Sequence, residues 1–224
     1  MTPPPEKIHF ITYGNDKFKA AKVRIRKEAE RFGGFDTITV YGPEDLDADF
    51  KNRFANILSK KRGGGFWIWK PYFVNKRFQE IKDGEYLIYL DAGCTINMKG
   101  KDRFRQYISL LRGSPKGFIS FQMRHIEKAW GVVEVFNYFN IGGEISCHPR
   151  YLGLKSKEAT YDDPNLFTNH YHNSSLNSKR PIFKENRHDQ SALSLLRKIH
   201  GSIVLGQETQ GQKNTPFWAT RKRD

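Results

Sequence analysis

The chain has 224 residues, 38% hydrophobic and 14% aromatic, with 38 Lys and Arg against 24 Asp and Glu for a net charge of +14. That length suits one α/β domain and that apolar content excludes a disordered chain. No stretch approaches the ~20 apolar residues of a membrane span, and two cysteines, Cys94 and Cys147, exclude a disulfide framework and lack zinc-ligand spacing.

The opening "MTPPPEKIHF" has no apolar signal core. Residues 1–6 are expected to be flexible, and with reduced thiols a cytoplasmic setting follows as the expectation. "KIHFITYGN" then reads as a strand ending at Gly14 and Asn15. Asp16 can cap a helix on which Ala21, Ile25, Ala29 and Phe32 form one apolar face, closed by Gly33 and Gly34. "DTITVYGP" is a second strand, and Phe50, Phe54, Ile57 and Leu58 mark a helix within Asp45 to Lys60. Pro71 suits the first turn of the next helix, with Val74, Phe78 and Ile81 on its apolar side.

"EYLIYLDAG" follows, continuously apolar from Tyr86 to Leu90, as in a central strand covered on both faces. A helix around Phe104, Ile108 and Leu111, a strand "GFISFQM" and an irregular "HIEKAWGVVEVFNYF" come next. Lys155 to Arg187 reads mostly as loop. "DQSALSLLRKIHG" is the last helix, "SIVLG" a final short strand, and residues 213–224 a flexible basic tail. Strands alternating with helices imply a single α/β domain over 1–224, its mainly parallel central sheet flanked by helices. Ligands in such sheets sit beyond the carboxyl ends of the strands. Thr12 to Asn15 and Asp91 are two such ends.

At its strand end Asp91 could present a carboxylate to Mg²⁺ or Mn²⁺, with Ala92 and Gly93 small enough for a ligand to approach; it could equally cap a turn. In "KKRGGGFWIWKPYF" three glycines permit positive φ, and Arg62 and Lys70 flank them with charge suited to phosphate. Trp67 and Trp69 would share a face if extended, either stacking on a base or joining the core. "ENRHDQS" sets His188 and Asp189 at a helix start, as a cap or as part of a site. The excess of basic residues implies an anionic partner. Their dispersal, with clusters only at Lys60–Arg62 and Arg221–Arg223, weighs against a dedicated nucleic-acid arm.

In order along the chain, "FITYGN", "RGGGFWIWKPYF", "DGEYLIYLDAGCTIN", "HIEKAW" and "NRHDQSALSLL" resemble motifs of a glycosyltransferase-like family of bacteria and large DNA viruses with the GT-A (Rossmann-like) fold. The resemblance implies a nucleotide-diphosphate sugar donor, UDP being the commonest nucleotide, a glycan or other hydroxyl acceptor, and an assisting Mn²⁺ or Mg²⁺. It casts Asp91 as metal ligand, with His188 as a further one, and Asp189 and Asp91 as the catalytic carboxylates. Donor contacts would come from Thr12, Tyr13, Gly14, Arg62, Trp69, Lys70, Ala92, Gly93 and Gln190. The pattern departs from the family at Gly93, where a second acid is usual. Between Ile141 and Pro181 the likeness is least, and acceptor specificity is expected there. The competing expectations are a basic nucleic-acid-binding protein and an inactive sugar-nucleotide binder; oligomeric state is not legible.

Overall fold

A computed structural model of the chain describes residues 6–124, 127–140 and 159–224. Strand β1 (Ile8–Tyr13), helix α1 (Lys19–Phe32) and strand β2 (Thr37–Tyr41) open the fold. Two short helices follow, α2 (Ala48–Arg53) and α3 (Ala55–Leu58), and then helix α4 (Trp69–Glu80) and strand β3 (Tyr86–Tyr89). The remaining elements are β4 (Thr95–Ile96), α5 (Lys101–Arg112), β5 (Ile119–Phe121), α6 (Val133–Tyr138), α7 (Asp189–His200), β6 (Ile203–Leu205) and β7 (Phe217–Trp218). A single turn of helix, Ser175–Ser178, interrupts the expected loop before α7.

β1, β2 and β3 form a parallel sheet in the order β2-β1-β3, so the molecule is α/β as expected, but β1 rather than β3 is the middle strand. β5 pairs in parallel with β6. The segment expected to be a loose basic tail contains β7, which pairs antiparallel with β4.

Strand alternation divides the core. Ile11, Tyr13, Leu87 and Tyr89 face one cluster, built with α2, α4, α6 and α7; Phe10, Ile88 and Leu90 face the other, built with α1 and α5. β3 is therefore covered on both faces although it lies at the sheet's edge. That coverage is the property its continuous apolar run reports.

Several local expectations hold, and others shift for physical reasons. The buried positions of α1 are Ala21, Ile25, Ala29 and Phe32, closed by Gly33 at φ 66°. Asn15 rather than Asp16 caps the turn ahead of α1, its side chain accepting from the Lys17 amide. The helix expected over Asp45–Lys60 is broken at Phe54 (φ −109°, ψ 19°) and starts at the Asp47 cap. α4 begins two residues ahead of Pro71, whose missing N–H falls among first-turn groups that lack helical partners anyway. Its buried aromatic residues are Trp69, Tyr72 and Phe73; of the expected face, Ile81 is buried, Val74 is half-buried against the same core and Phe78 is only half-buried.

Candidate functional site

Odd-numbered residues of β3 point toward the α4 and α7 side of the sheet, so the chain leaving Tyr89 delivers Asp91 to that side at the carboxyl edge. There Lys70, in the first turn of α4, meets two carboxylates. Its Nζ lies 3.2 Å from Asp91 Oδ1 and 2.7 Å from Asp189 Oδ2. Tyr89 donates its hydroxyl to the same Asp91 oxygen at 2.6 Å. The Asp91 side chain is 51% exposed, Lys70 15% and Asp189 11%, which makes Asp91 the mouth of the cluster and Asp189 its floor.

The electrostatics follow from that arrangement. Burial alone would lower the pKa of the Lys70 ammonium, but the charges of Asp189 and then Asp91 outweigh it and hold the group above the ordinary lysine range. Surrounding protein would raise Asp91, yet the Lys70 charge and hydrogen bonds from Tyr89 and Lys70 bring it below the ordinary carboxylate value. For Asp189 burial prevails over Lys70, and the carboxyl sits above its ordinary value. Burial also drives the Tyr89 phenol well upward and the Cys94 thiol up to about 12, leaving neither as a base or nucleophile.

The turn after β3 is fastened from α1. Arg24 donates to the carbonyls of Ala92 and Cys94, both at 3.0 Å, and Glu28 accepts from the Ile96 amide at 2.8 Å. The glycine-rich stretch is neither extended nor a true helix. Gly63, Gly64 and Gly65 have φ of 59°, 57° and 94°, and Phe66 and Trp67 follow at 53° and 61°. This left-handed run permits a tight reversal that a side chain on Gly65 would block, its Cβ falling 2.8 Å from Leu58 Cα. The reversal brings Gly64 beside Asn15 at the end of β1 and lets Trp69 Nε1 donate to the Gly63 carbonyl at 3.0 Å.

The expected site residues separate into groups. Lys70, Asp91 and Asp189 come together. Tyr13 stacks on Trp69 at 3.8 Å between ring centroids, so each indole or phenol face turned to the other is spent within the core. Thr12 is fully buried, its hydroxyl without a hydrogen-bond partner among the described residues, and Gly14 is packed against Phe18 and Lys22. Arg62 is exposed and pairs with Glu185 at 3.3 Å, and Gln190 is exposed at the start of α7. Ala92 and Gly93 are buried, Gly93 against the backbone of Arg221 and Lys222. Tyr89 and residues 221–223 were not anticipated. Tyr89 could have been, since it stands two residues before Asp91 on an alternating strand. The 141–158 part of the expected acceptor region lies outside the described residues.

His188 does not join the carboxylates. Its ring packs at 5.2 Å from Phe66 and 5.3 Å from Trp67, Nδ1 donates to the Phe167 carbonyl at 2.9 Å, and Nε2 is buried with no partner among the described residues. Burial is the main cause that lowers its pKa, to about 4. Its backbone, at φ 56° and ψ −123°, is a conformation that favours glycine, a strain held at the residue just before Asp189. No group of three His, Cys, Asp or Glu residues among the described residues could hold a metal ion. Asp91 Oδ1 is bonded to Lys70 and Tyr89 while His188 is closed off by aromatics, so the two residues expected to share a cation are not brought together.

No family model and no curated protein matches the chain. Among solved structures, one described as a glycosyltransferase involved in the glycosylation of the major capsid of PBCV-1 aligns with 96% of this chain and 93% of its own, at TM-score 0.48 and 12% identity. A likeness that distant assigns no activity.

Proposed function

We propose that the chain is a GT-A-type glycosyltransferase, moving a sugar from a nucleotide-diphosphate sugar, with UDP placed first, to a hydroxyl of a glycan or other acceptor in the cytoplasm. The observation that carries this reading is the Lys70 bridge between Asp91 and Asp189 at the carboxyl edge of a parallel sheet.

In such a transfer the bond from the anomeric carbon to the diphosphate oxygen breaks while the acceptor oxygen bonds to that carbon. Negative charge builds on the leaving diphosphate, and the acceptor hydroxyl must lose its proton. Lys70 offers a fixed ammonium for the first requirement. Asp189, a buried carboxylate with a raised pKa, suits the second, although the departing phosphate oxygen is an alternative proton acceptor. Asp91 and Tyr89 hold Lys70 in place. A proton arriving on Asp189 would remove one of the charges restraining Lys70 and free the ammonium to follow the charge developing on phosphate.

The test is thermal unfolding with UDP-, GDP-, dTDP- and CMP-sugars for the wild type and Asp91→Asn. At least one donor should raise the melting temperature of the wild type, and Asp91→Asn, which removes a negative charge from the mouth of the cluster, should keep or enlarge that shift. No shift with any donor refutes the reading. A shift without hydrolysis or transfer reduces the protein to a sugar-nucleotide binder.

A second reading rests on a separate feature, a shallow groove of about 1000 Å³ along α1 where six basic residues, among them Lys17, Lys27 and Arg223, outnumber two acidic ones, Asp16 and Glu28. A nucleic-acid-binding protein would use it, with oligonucleotide affinity falling steeply as salt rises.

A further inference from the structure

Two features of the carboxyl edge bear on how a diphosphate could be held there. The first is Lys70. An ammonium has three N–H donors, and Asp91 and Asp189 engage two of them, leaving one for an oxygen arriving at the mouth of the cluster. Charge alone, however, works against that arrival. One positive and two negative groups leave the cluster at −1, which repels an anion unless further cations stand nearby.

The second feature supplies them. Residues 220–224 cross the turn after β3. The Lys222 amide donates to the Gly93 carbonyl at 2.8 Å, and the Thr220 hydroxyl donates to the same carbonyl at 2.9 Å. Thr95 and Thr220 share a hydrogen bond at 2.8 Å, and Arg24 Nε donates to the Asp224 carbonyl at 2.6 Å. A Cβ at position 93 would lie 3.0 Å from the Lys222 carbonyl oxygen and 3.2 Å from Arg221 Cα. A side chain there would therefore press on the segment, whose backbone would have to give way by a few tenths of an ångström. Gly93 is what lets three exposed cations, Arg221, Lys222 and Arg223, lie against the end of β3. Arg223 also reaches the β1 end, its guanidinium 5.7 Å from the Phe18 ring.

We infer that the chain holds the donor diphosphate without a divalent cation, through the Lys70 ammonium and the positive charge of residues 221–223. The inference rests on the donor-site reading above. Position 93 exchanges a carboxylate for a docking surface, and the cluster's −1 is joined by three cations and the one carboxylate of Asp224 on the docked segment. An arginine also offers a phosphate two parallel N–H bonds, where a metal would offer a bare charge.

Isothermal titration tests this with inorganic pyrophosphate and with UDP, GDP, dTDP and CDP, each in excess EDTA and then in Mn²⁺. The proteins are the wild type, Lys70→Met, and the triple variant Arg221→Gln, Lys222→Gln, Arg223→Gln. Binding in EDTA should match that in Mn²⁺, and the triple variant, whose changes are all on the surface, should bind about tenfold more weakly. Lys70→Met should also lose affinity; if it does not fold, the triple variant still decides. Binding only in Mn²⁺ overturns the inference and leaves the donor reading standing. Wild-type affinity in the triple variant overturns the part given to residues 221–223. Binding under neither condition removes the donor reading and this inference with it.

Discussion

Replacing His188 with Asn should flatten the acid limb of the protein's stability profile. The wild-type imidazole is 2% exposed and its pKa is lowered to about 4, against about 6.5 in an unfolded chain. Between those values the unfolded state binds a proton that the folded state does not. Stability from this residue is therefore complete above about pH 6.5 and drains away as the pH falls toward 4. Integrating the two titrations gives a loss of about 2 kcal/mol between about pH 7.5 and 5. Asn tolerates positive φ better than most residues and cannot titrate. Asp91 and Asp189 are present in both proteins, so the difference between the two profiles isolates the change at position 188. Urea unfolding followed by tryptophan fluorescence, extrapolated linearly at each pH, provides the measurement. The gap between wild type and His188→Asn should narrow by about 2 kcal/mol on acidification. Parallel profiles would refute the claim that this imidazole is buried neutral.

Two further outcomes are expected from the core beneath the site. Phe73 is fully buried and stacks on Tyr41 at 4.3 Å, so Phe73→Ala should cost about 3–5 kcal/mol in urea unfolding; a loss below about 1 kcal/mol would mean the cluster beside α4 does not depend on it. Gly65→Ala should lower the melting temperature more than Gly64→Ala, because the added carbon at 65 meets Leu58 Cα at 2.8 Å whereas at 64 its nearest neighbour is the Asn15 amide at 3.3 Å. Equal losses would show that left-handed φ alone, worth about 1–2 kcal/mol, sets both costs.

The elements that carry the site are legible in the sequence because their information is local. The four-residue spacing on α1, the unbroken apolar run of β3 and the Asp189 start of α7 each reflect a surface that must be covered. Asp91 and Lys70 could be singled out, but only as a carboxylate at a strand end and a cation after glycines. In "GGGFWIW" the glycines take the positive φ they permit, but no propensity extends it to Phe66 and Trp67 or expresses a reversal that depends on packing against Leu58 and Trp69. Which side chains meet at Asp91 was not legible, because the meeting of Lys70 with both aspartates is a long-range contact.

The sequence by itself determined the α/β class, the apolar faces, and the delivery of Asp91 and Asp189 to the ends of their elements, since period and capping are written in neighbouring residues. Only the tertiary structure decided that β1 is the central strand, that Lys70 lies between the two carboxylates, and that Gly93 lies under residues 221–222. Those outcomes are set by the sum of burial on both faces of the sheet, in which residues far apart in the chain compete for the same space.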